Sequence, residues 1–279
     1  LDDDPLQIRS LDRVLVEGQV VKSNGQPDLN FNGEGNVRVF DASRYEQLPN
    51  PDVTCNYLDN CSFRVQNDVL FNGRVSITNG QFSTEFIVPR DIAYSDSLAR
   101  IHVYGNGLGE EGYDAVGSFS NFFLNGRNED AENTFEGPEM DVYLNDEGFV
   151  HGSLTNPDPI LYADIFSEAG VNTTGAGVGH EITATLTNED NPGNEQTFIL
   201  NNFYESELDD FTRGQIEFPL DNLEDGRYSL QVRAWDVFNN VGEAEVFFEV
   251  AGGDALSIRN VYSYPNPMHN VTRFAFEHN

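Results

Sequence analysis

Alternation between hydrophobic and polar positions is clearest near the end of the chain, over residues 223–250. Apolar side chains recur at every second position over 228–234 and again over 244–250, which is the period of a strand with one buried face. Two asparagines and a glycine lie between the runs, over 239–242, and suit a turn that needs positive φ. The pattern therefore predicts a hairpin that closes a β-sandwich near Val250.

Shorter alternating runs fill the rest of the chain, and short polar turns separate them. Asn79-Gly80 is a strong hairpin signal, and no stretch sustains a helical period. The predicted strands are 11–21, 36–41, 62–65, 69–77, 80–88, 99–104, 115–124, 161–167, 180–186, 197–200 and 214–219, in addition to the hairpin. This spacing predicts an all-β fold with two immunoglobulin-like β-sandwich modules in tandem, followed by the truncated start of a C-terminal β domain.

The expected domain organisation follows from one polar break and one small hinge. A first β-sandwich module is predicted over 6–125, an acidic linker over 126–138, and an immunoglobulin-like sandwich over 139–250. A glycine-containing hinge follows, and residues 256–279 begin a further β unit. The chain starts without Met or a signal-peptide pattern, so we expect it to be a piece of a longer precursor.

Composition limits the classes of partner. Of the 279 residues, 38% are hydrophobic, enough for packed cores, and no apolar run is long enough to predict a membrane span. The net charge of −32 should repel nucleic acid and anionic lipid.

A carboxylate coat with Lys22 as the only lysine suits high salt, where charges are screened within about 3 Å at 1 M. The alternative is an ordinary acidic secreted protein with metal sites.

The two cysteines, Cys55 and Cys61, lie six positions apart in one polar loop. A metal site would need further ligands of this kind nearby, and the sequence has none there. We therefore predict a local disulfide between Cys55 and Cys61 in an oxidising compartment. Two unpaired thiols are the alternative.

A nucleophilic pair could in principle combine Cys61 with His102, His151 or His180. However, both cysteines flank one short loop, and no predicted helix follows them to lower the pKa of a thiol. The sequence therefore predicts no catalytic residue within this chain.

Other segments resemble binding loops only in composition. The glycine-rich stretch 175–179 lacks the Lys-Ser/Thr of a phosphate-binding loop and precedes a predicted strand, so it is interpreted as a turn. His180 would then lie on the surface at the end of a strand. The acidic segments 2–4 and 188–191 could supply oxygens to Ca²⁺, but neither has the spacing of an EF-hand. The preferred interpretation is a solvated acidic surface, with no metal and no cofactor.

The single tryptophan, Trp235, follows Ala234 and therefore points away from the inner face of its predicted strand. We expect it to pack against the neighbouring domain. Stacking on a ligand is the alternative.

Several motifs, taken in order, resemble one protein family. They are Phe-Ile-Val-Pro-Arg-Asp-Ile over 86–92, Asn-Thr-Thr-Gly-Ala-Gly-Val-Gly-His over 172–180, Ala-Trp-Asp-Val-Phe-Asn-Asn over 234–240, and Tyr-Pro-Asn-Pro over 264–267. Their order resembles the region that follows the catalytic domain in C-terminal signal peptidases of the type IX secretion system, which are gingipain-like cysteine peptidases.

The resemblance implies a sortase associated with the extracellular face of the outer membrane. Such an enzyme removes C-terminal signal domains from exported cargo and transfers the cargo to a surface lipopolysaccharide anchor. It implies that the Cys-His chemistry belongs to an α/β domain upstream of Leu1 and that 256–279 opens a type IX C-terminal domain. The implied partners are that peptidase domain, outer-membrane secretion components and cargo proteins.

The function expected for this chain is a non-catalytic scaffold that positions the peptidase domain and the C-terminal domain. A stand-alone surface adhesin, or a carbohydrate-binding pair of sandwiches, is the alternative.

Overall fold

The computed structural model describes residues 4–47, 62–108, 113–174, 179–193, 195–251, 258–268 and 270–278. Nearly all regular structure in these ranges is strand, and their only helical element is a 3-10 turn at Asn201–Phe203. The prediction of an all-β chain with tandem immunoglobulin-like sandwiches is confirmed. The prediction of a disulfide between Cys55 and Cys61 concerns residues that lie outside the described ranges.

The described part of the first module contains ten strands. They are β1 Leu6–Ser10, β2 Arg13–Gln19, β3 Gly33–Phe40, β4 Arg44–Gln47, β5 Ser62–Val65, β6 Val69–Ile77, β7 Gln81–Ile87, β8 Arg100–Gly107, β9 Asp114–Phe119 and β10 Phe122–Arg127. One sheet has the order β6-β3-β8-β9, and β2-β7 faces it. Strand β1 pairs in parallel with β10, and β4 pairs with β5. The turn at Asn79-Gly80, where both residues have positive φ, carries the chain from β6 into the opposite sheet at β7.

In the second module, nine strands are formed by the described residues. They are β11 Glu139–Leu144, β12 Leu154–Thr155, β13 Ile160–Phe166, β14 Thr183–Asn188, β15 Glu195–Ile199, β16 Tyr204–Glu207, β17 Asp210–Pro219, β18 Gly226–Trp235 and β19 Val241–Val250. They form two sheets, β11-β13-β17-β16 and β12-β19-β18-β14-β15. The inner faces of these sheets enclose one continuous apolar core, in which Leu161, Ile216 and Leu230 are fully buried.

The hairpin that the sequence predicts over 223–250 is confirmed as β18 and β19, paired without a register shift from Gly226↔Val250 to Trp235↔Val241. Tyr228 lies near the start of β18, stacks on Phe248, and donates its hydroxyl to the carbonyl of Glu224 at 2.9 Å. This backbone contact four residues upstream is the tyrosine-corner arrangement of immunoglobulin-like sandwiches. It fixes the entry into the central strand.

After the second module, β20 Ile258–Tyr264 and β21 Arg273–His278 form an antiparallel two-stranded hairpin. Its apolar side chains are largely exposed, Tyr264 at 76% and Phe274 at 67%. This hairpin is the β unit that the sequence predicts at the start of a C-terminal domain.

Several predicted strands differ from the structure in their end residues, and two of the differences affect the path of the chain. The strand predicted over 115–124 is two strands, because the chain breaks at Ser120-Asn121 and passes from a ladder with β8 to a ladder with β1. The strand predicted over 180–186 begins only at Thr183. Its first residues instead turn toward the other module.

The segment 128–138, between the modules, forms no strand but contacts both of them. Asn128 donates its amide to the carbonyl of Ser10 at 2.9 Å, and Asn133 accepts from the side chain of Asn240 at 2.8 Å. Gly137 and Pro138 lie against the start of β19, where a Cβ at Gly137 would collide with the Val241 carbonyl. The segment is therefore laid along the modules rather than extended between them.

Candidate functional site: the junction between the modules

The two modules meet where the chain leaves β7 and where β18 turns into β19. Asp91, from the first module, accepts at Oδ1 from the side-chain amide of Asn239 at 3.0 Å, and its Oδ2 lies 2.5 Å from Nδ1 of His180. Beside it, the amide of Arg90 donates to the carbonyl of Val237 at 2.9 Å. One short segment of the first module thus holds two loops of the second.

An apolar contact lies next to these polar ones. Leu11, Val237 and Phe238 are buried against each other. Leu11 sits at the corner between β1 and β2 with a φ of 67°, a left-handed conformation that turns the chain sharply there. Ile87, Ala131 and Ala169 pack around the three. Because these residues come from both modules and from the segment between them, separating the modules would expose all of this surface to water.

Asp236 gives the 236–240 loop its shape. This fully buried carboxylate accepts at Oδ1 from the amides of Phe238 at 2.9 Å and Asn240 at 2.7 Å, and at Oδ2 from the Asn240 side chain at 2.7 Å. Burial raises the pKa of Asp236, and the hydrogen bonds oppose that rise only in part. Asn239, with a φ of 68°, occupies the left-handed position of the loop. The loop therefore presents Phe238 and Asn239 to the first module in a fixed geometry.

A second contact joins the modules at the β16–β17 turn. The backbone amide of Arg74 donates to the Ser206 hydroxyl at 2.9 Å, and the Arg74 carbonyl accepts from the amide of Asp209 at 3.0 Å. The Asp209 carboxylate in turn accepts from the amide of Ser76 at 2.6 Å. Arg13 places its guanidinium 5.8 Å from the ring centre of Phe211, in a cation–π contact. Contact at two separate places resists rotation of one module against the other.

His180 and Trp235 lie side by side at the first contact, with ring centres 4.6 Å apart. The sequence predicts His180 as a surface residue at a strand end, but the structure turns it inward onto Asp91 and leaves its side chain 26% exposed. The ring of Trp235 contacts His180 of its own module, and its packing against the neighbouring domain stays a prediction. Asp91 was not identified from the sequence as an interface residue, although it lies in the 86–92 motif.

The three histidines of the candidate nucleophilic pairs lie in different parts of the structure. His102 lies on β8 opposite Arg38 of β3, His151 lies near Phe247 of the second module, and His180 lies at the junction. Each occupies a different element, and Cys61 lies outside the described residues. That the chain holds no catalytic residue therefore stays a prediction.

The predicted binding loops have local structural roles where they are described. Of the glycine-rich stretch 175–179, only Gly179 is described, and it has a φ of 86° and leads into strand β14 rather than a helix. In the 188–191 turn, Asp190 forms an ion pair with Arg227 at 2.8 Å, and this bond lowers the pKa of Asp190. Within the described ranges, no three His, Cys, Asp or Glu side chains converge as ligands of a metal ion.

A polar groove of about 570 Å³ lies beside the second contact. Its acidic residues are Asp164, Glu205, Glu207 and Glu217, with Arg74 at one side. Asp164 is already engaged, because Gln215 donates to it at 2.6 Å and Tyr143 at 3.1 Å. Burial and this carboxylate raise the pKa of Tyr143 to about 12. Asp164 is therefore held within the groove by neighbouring side chains of the same module.

The described residues include no helix that is long and apolar enough to cross a membrane.

No protein-family model matches the chain, and no curated protein matches it significantly. Among solved structures, the chain is similar to dimeric latent PorU from Porphyromonas gingivalis, with 28% identity and a TM-score of 0.50. The match covers 99% of this chain and 25% of that one, so the chain spans about a quarter of the length of that protein. The chain therefore has a PorU-like fold over its whole length.

Other solved structures are less similar. A tandem of titin Z1Z2 modules is 12% identical to this chain, with a TM-score of 0.21. The match covers 90% of this chain and 95% of the titin chain. A bacterial ice-binding adhesin is 10% identical with a TM-score of 0.24, with 92% of this chain and 67% of the adhesin covered. These values do not support a functional argument.

Proposed function

We propose that this chain is a non-catalytic accessory region of a cell-surface, gingipain-like cysteine peptidase that processes type IX secretion cargo. In this proposal the peptidase chemistry belongs to another part of the same protein. The two modules hold the peptidase domain at a fixed distance and orientation from the β unit that begins near Ile258. Cargo proteins and outer-membrane secretion components are the proposed partners.

The observation that carries the proposal is the match to PorU, the type IX secretion C-terminal signal peptidase, along 99% of this chain. The four motifs over 86–92, 172–180, 234–240 and 264–267 resemble the post-catalytic region of that peptidase family, so sequence and fold point to the same region. Two of the motifs supply Asp91 and His180, which meet across the junction. The resemblance therefore includes residues that fix the relative placement of the modules.

The positioning role is tested by weakening the junction in the full-length protein. Phe238→Ala combined with Asp91→Ala removes the apolar contact and the carboxylate that binds His180 and Asn239. We expect slower removal of signal domains from protein cargo at the cell surface and unchanged cleavage of a small peptide, because only the larger substrate depends on domain placement. Phe247→Ala is the matched control, since Phe247 is a half-exposed side chain of β19 in the second module.

Equal loss of protein and peptide cleavage would show that the junction supports the peptidase site itself. Unchanged processing of both substrates would remove the positioning role.

A separate assay tests the proposed absence of chemistry. The purified 279-residue chain should cleave no peptide, and activity that disappears on Cys61→Ala would contradict the proposal. Saturable binding to a surface glycan, with normal cargo processing after deletion of 139–250, would instead support the adhesin alternative.

A further inference from the structure

The first sandwich is open along one flank. A cleft of about 970 Å³ separates β2 from β8 and β9. Val14, Val16 and Gly18 line it from β2, and the side across from them is formed by Ile101, Val103, Ala115, Gly117 and Phe119. These residues alternate along their strands, so they are the inner-face positions that would form a closed core in a complete sandwich.

The inner faces of the cleft are only partly covered. Val14, Val16 and Ile101 are half-buried at the margin of the first core, and Phe119 is 47% exposed. Gly117 lies opposite Val103 in the β8–β9 ladder, and a Cβ built on it would meet no atom within 4 Å. In a closed sandwich, a further strand would occupy this apolar space.

Both strands beside the cleft are edge strands. In the sheets formed by the described residues, β2 has only β7 as a neighbour, and β9 has only β8. An edge strand presents backbone N–H and C=O groups that can pair with an added strand. The cleft therefore combines an apolar floor with a backbone edge, the two components of peptide recognition by strand addition.

The position of β1 shows where an added strand would run. β1 lies on the side of β10 that faces away from residues 98–99, and the parallel ladder starts at Leu6↔Phe122. β9 precedes β10 in the chain, with Asn121 between them. The edge of β9 on the same side as β1 has no neighbour among the described strands. β1 does not extend into this space, because Pro5 has no N–H to donate and Asp4 forms a bend.

We propose that the cleft binds an extended peptide from a partner protein, which pairs with the free edge of β9 in line with β1. Alternate side chains of this peptide are apolar and enter the cleft between Val16 and Gly117. The peptide carries no net negative charge, because Glu17, Asp28 and Asp114 line the cleft with only Lys22 to oppose them. Lys22 is 3.7 Å from Asp28, so that cation is already engaged.

This inference goes beyond the proposed scaffold role and does not depend on it, because it concerns binding by the chain alone. The test uses the 279-residue chain and a fluorescein-labelled peptide, acetyl-Lys-Thr-Val-Thr-Val-Thr-Val-Thr-Lys-amide. Saturable binding is expected in fluorescence anisotropy, together with slower amide hydrogen exchange in β9. Gly117→Phe fills the cleft from the β9 side and should weaken binding by about tenfold or more, a loss of about 1.4 kcal/mol.

Gly193→Phe is the matched control, because Gly193 lies in a turn of the second module with only the Asn191 side chain at 4.0 Å. It should leave peptide affinity unchanged. Gly117→Val is a smaller filler that keeps the test valid if Gly117→Phe fails to fold. The proposal is overturned if the peptide does not bind, or if folded Gly117 variants bind it as tightly as the original chain. A peptide with Pro in place of each Val should not bind, and equal binding would show that strand pairing has no part.

Discussion

The two sandwich modules use similar strand patterns but differ in how completely they close. In the second module, inner-face residues of the central strand β18, such as Leu230 and Val232, are fully buried between sheets of four and five strands. In the first module, β2 and β9 remain apart, and inner-face residues such as Val16 stay half-buried. Alternation therefore identifies the inner face of a strand, whereas the number of strands in each sheet determines whether that face is closed.

The largest difference is expected from truncation of matched valines. Val232→Ala removes methyl groups from a fully buried site. It should lower the free energy of unfolding by about 2 to 4 kcal/mol, because the closed core cannot collapse around the cavity. Val16→Ala at the cleft should lower the free energy of unfolding by less than about 1 kcal/mol. Urea denaturation measures both values, and Trp235, the single tryptophan, reports unfolding of the second module by its fluorescence. Equal costs would mean that the first core closes in solution.

The next largest effect is expected at the junction, which contains residues of both modules. Phe238→Ala should cost about 2 to 3 kcal/mol, because it truncates a mostly buried aromatic side chain. If the contacts couple the modules, the variant should unfold in two calorimetric transitions separated more widely than those of the original chain. A variant in which both transitions move down together would show that Phe238 supports the whole fold and not the coupling.

Among the described residues, each module has one buried aspartate whose pKa is raised by burial, Asp41 in the first and Asp236 in the second. A raised folded-state pKa means that the folded form binds the proton more tightly, so the stabilisation is present at acid pH and is lost as pH rises through the folded pKa. The stability of the original chain relative to Asp41→Asn or Asp236→Asn should therefore fall as pH rises above the ordinary pKa of an aspartate, about 4.

Denaturation midpoints over this pH range, measured by intrinsic fluorescence and circular dichroism, check the prediction. Asp221→Asn, at an exposed carboxylate after β17, is the control and should change the pH profile little. A stability difference that is constant with pH for the two buried positions would contradict the assignment. A change at only one position would show that the modules treat buried charge differently.

The smallest effect is expected from salt. With a net charge of −32, self-repulsion should destabilise both modules in dilute buffer, and molar KCl should raise the melting temperature by about 3 °C by screening it. Differential scanning calorimetry from dilute to molar KCl measures this shift. A melting temperature independent of KCl would remove the interpretation of the acidic surface as an adaptation to high salt.

Much of the strand content could be predicted, because most strands have one buried face. Strands β5 and β6 occur with the predicted bounds, 62–65 and 69–77. The β18–β19 hairpin was also recognisable, since inner apolar residues alternate with polar residues along it. Strand β1 is not among the predicted strands, because only Leu6 and Ile8 show the alternation. Strand β12 is not predicted either, because its two residues are too few to show an alternating pattern.

The candidate site was less predictable, because its residues come from loops. The alternation with Ala234 indicates that Trp235 points away from the inner face of β18, and its packing against the neighbouring domain stays a prediction. Nothing in the local pattern around Asp91 or His180 indicates that they meet, since their pairing depends on how two separately folded modules are placed. The cleft was equally hidden, because the closure of a sheet depends on strand pairing between distant segments.

The parallel pairing of β1 with β10 also determines how the first module responds to pulling. The chain enters this ladder beside Phe122 and leaves it at Arg127, at opposite ends of the paired strands. A force applied along the backbone at the two ends therefore loads the hydrogen bonds of the ladder in shear, so that they must break together. The second module differs, because its chain enters at β11 in one sheet and leaves at β19 in the other. An open flank in the first module is thus compatible with mechanical resistance along the chain axis, because the β1–β10 ladder is paired although Leu6, Ile8 and Phe122 also line the cleft.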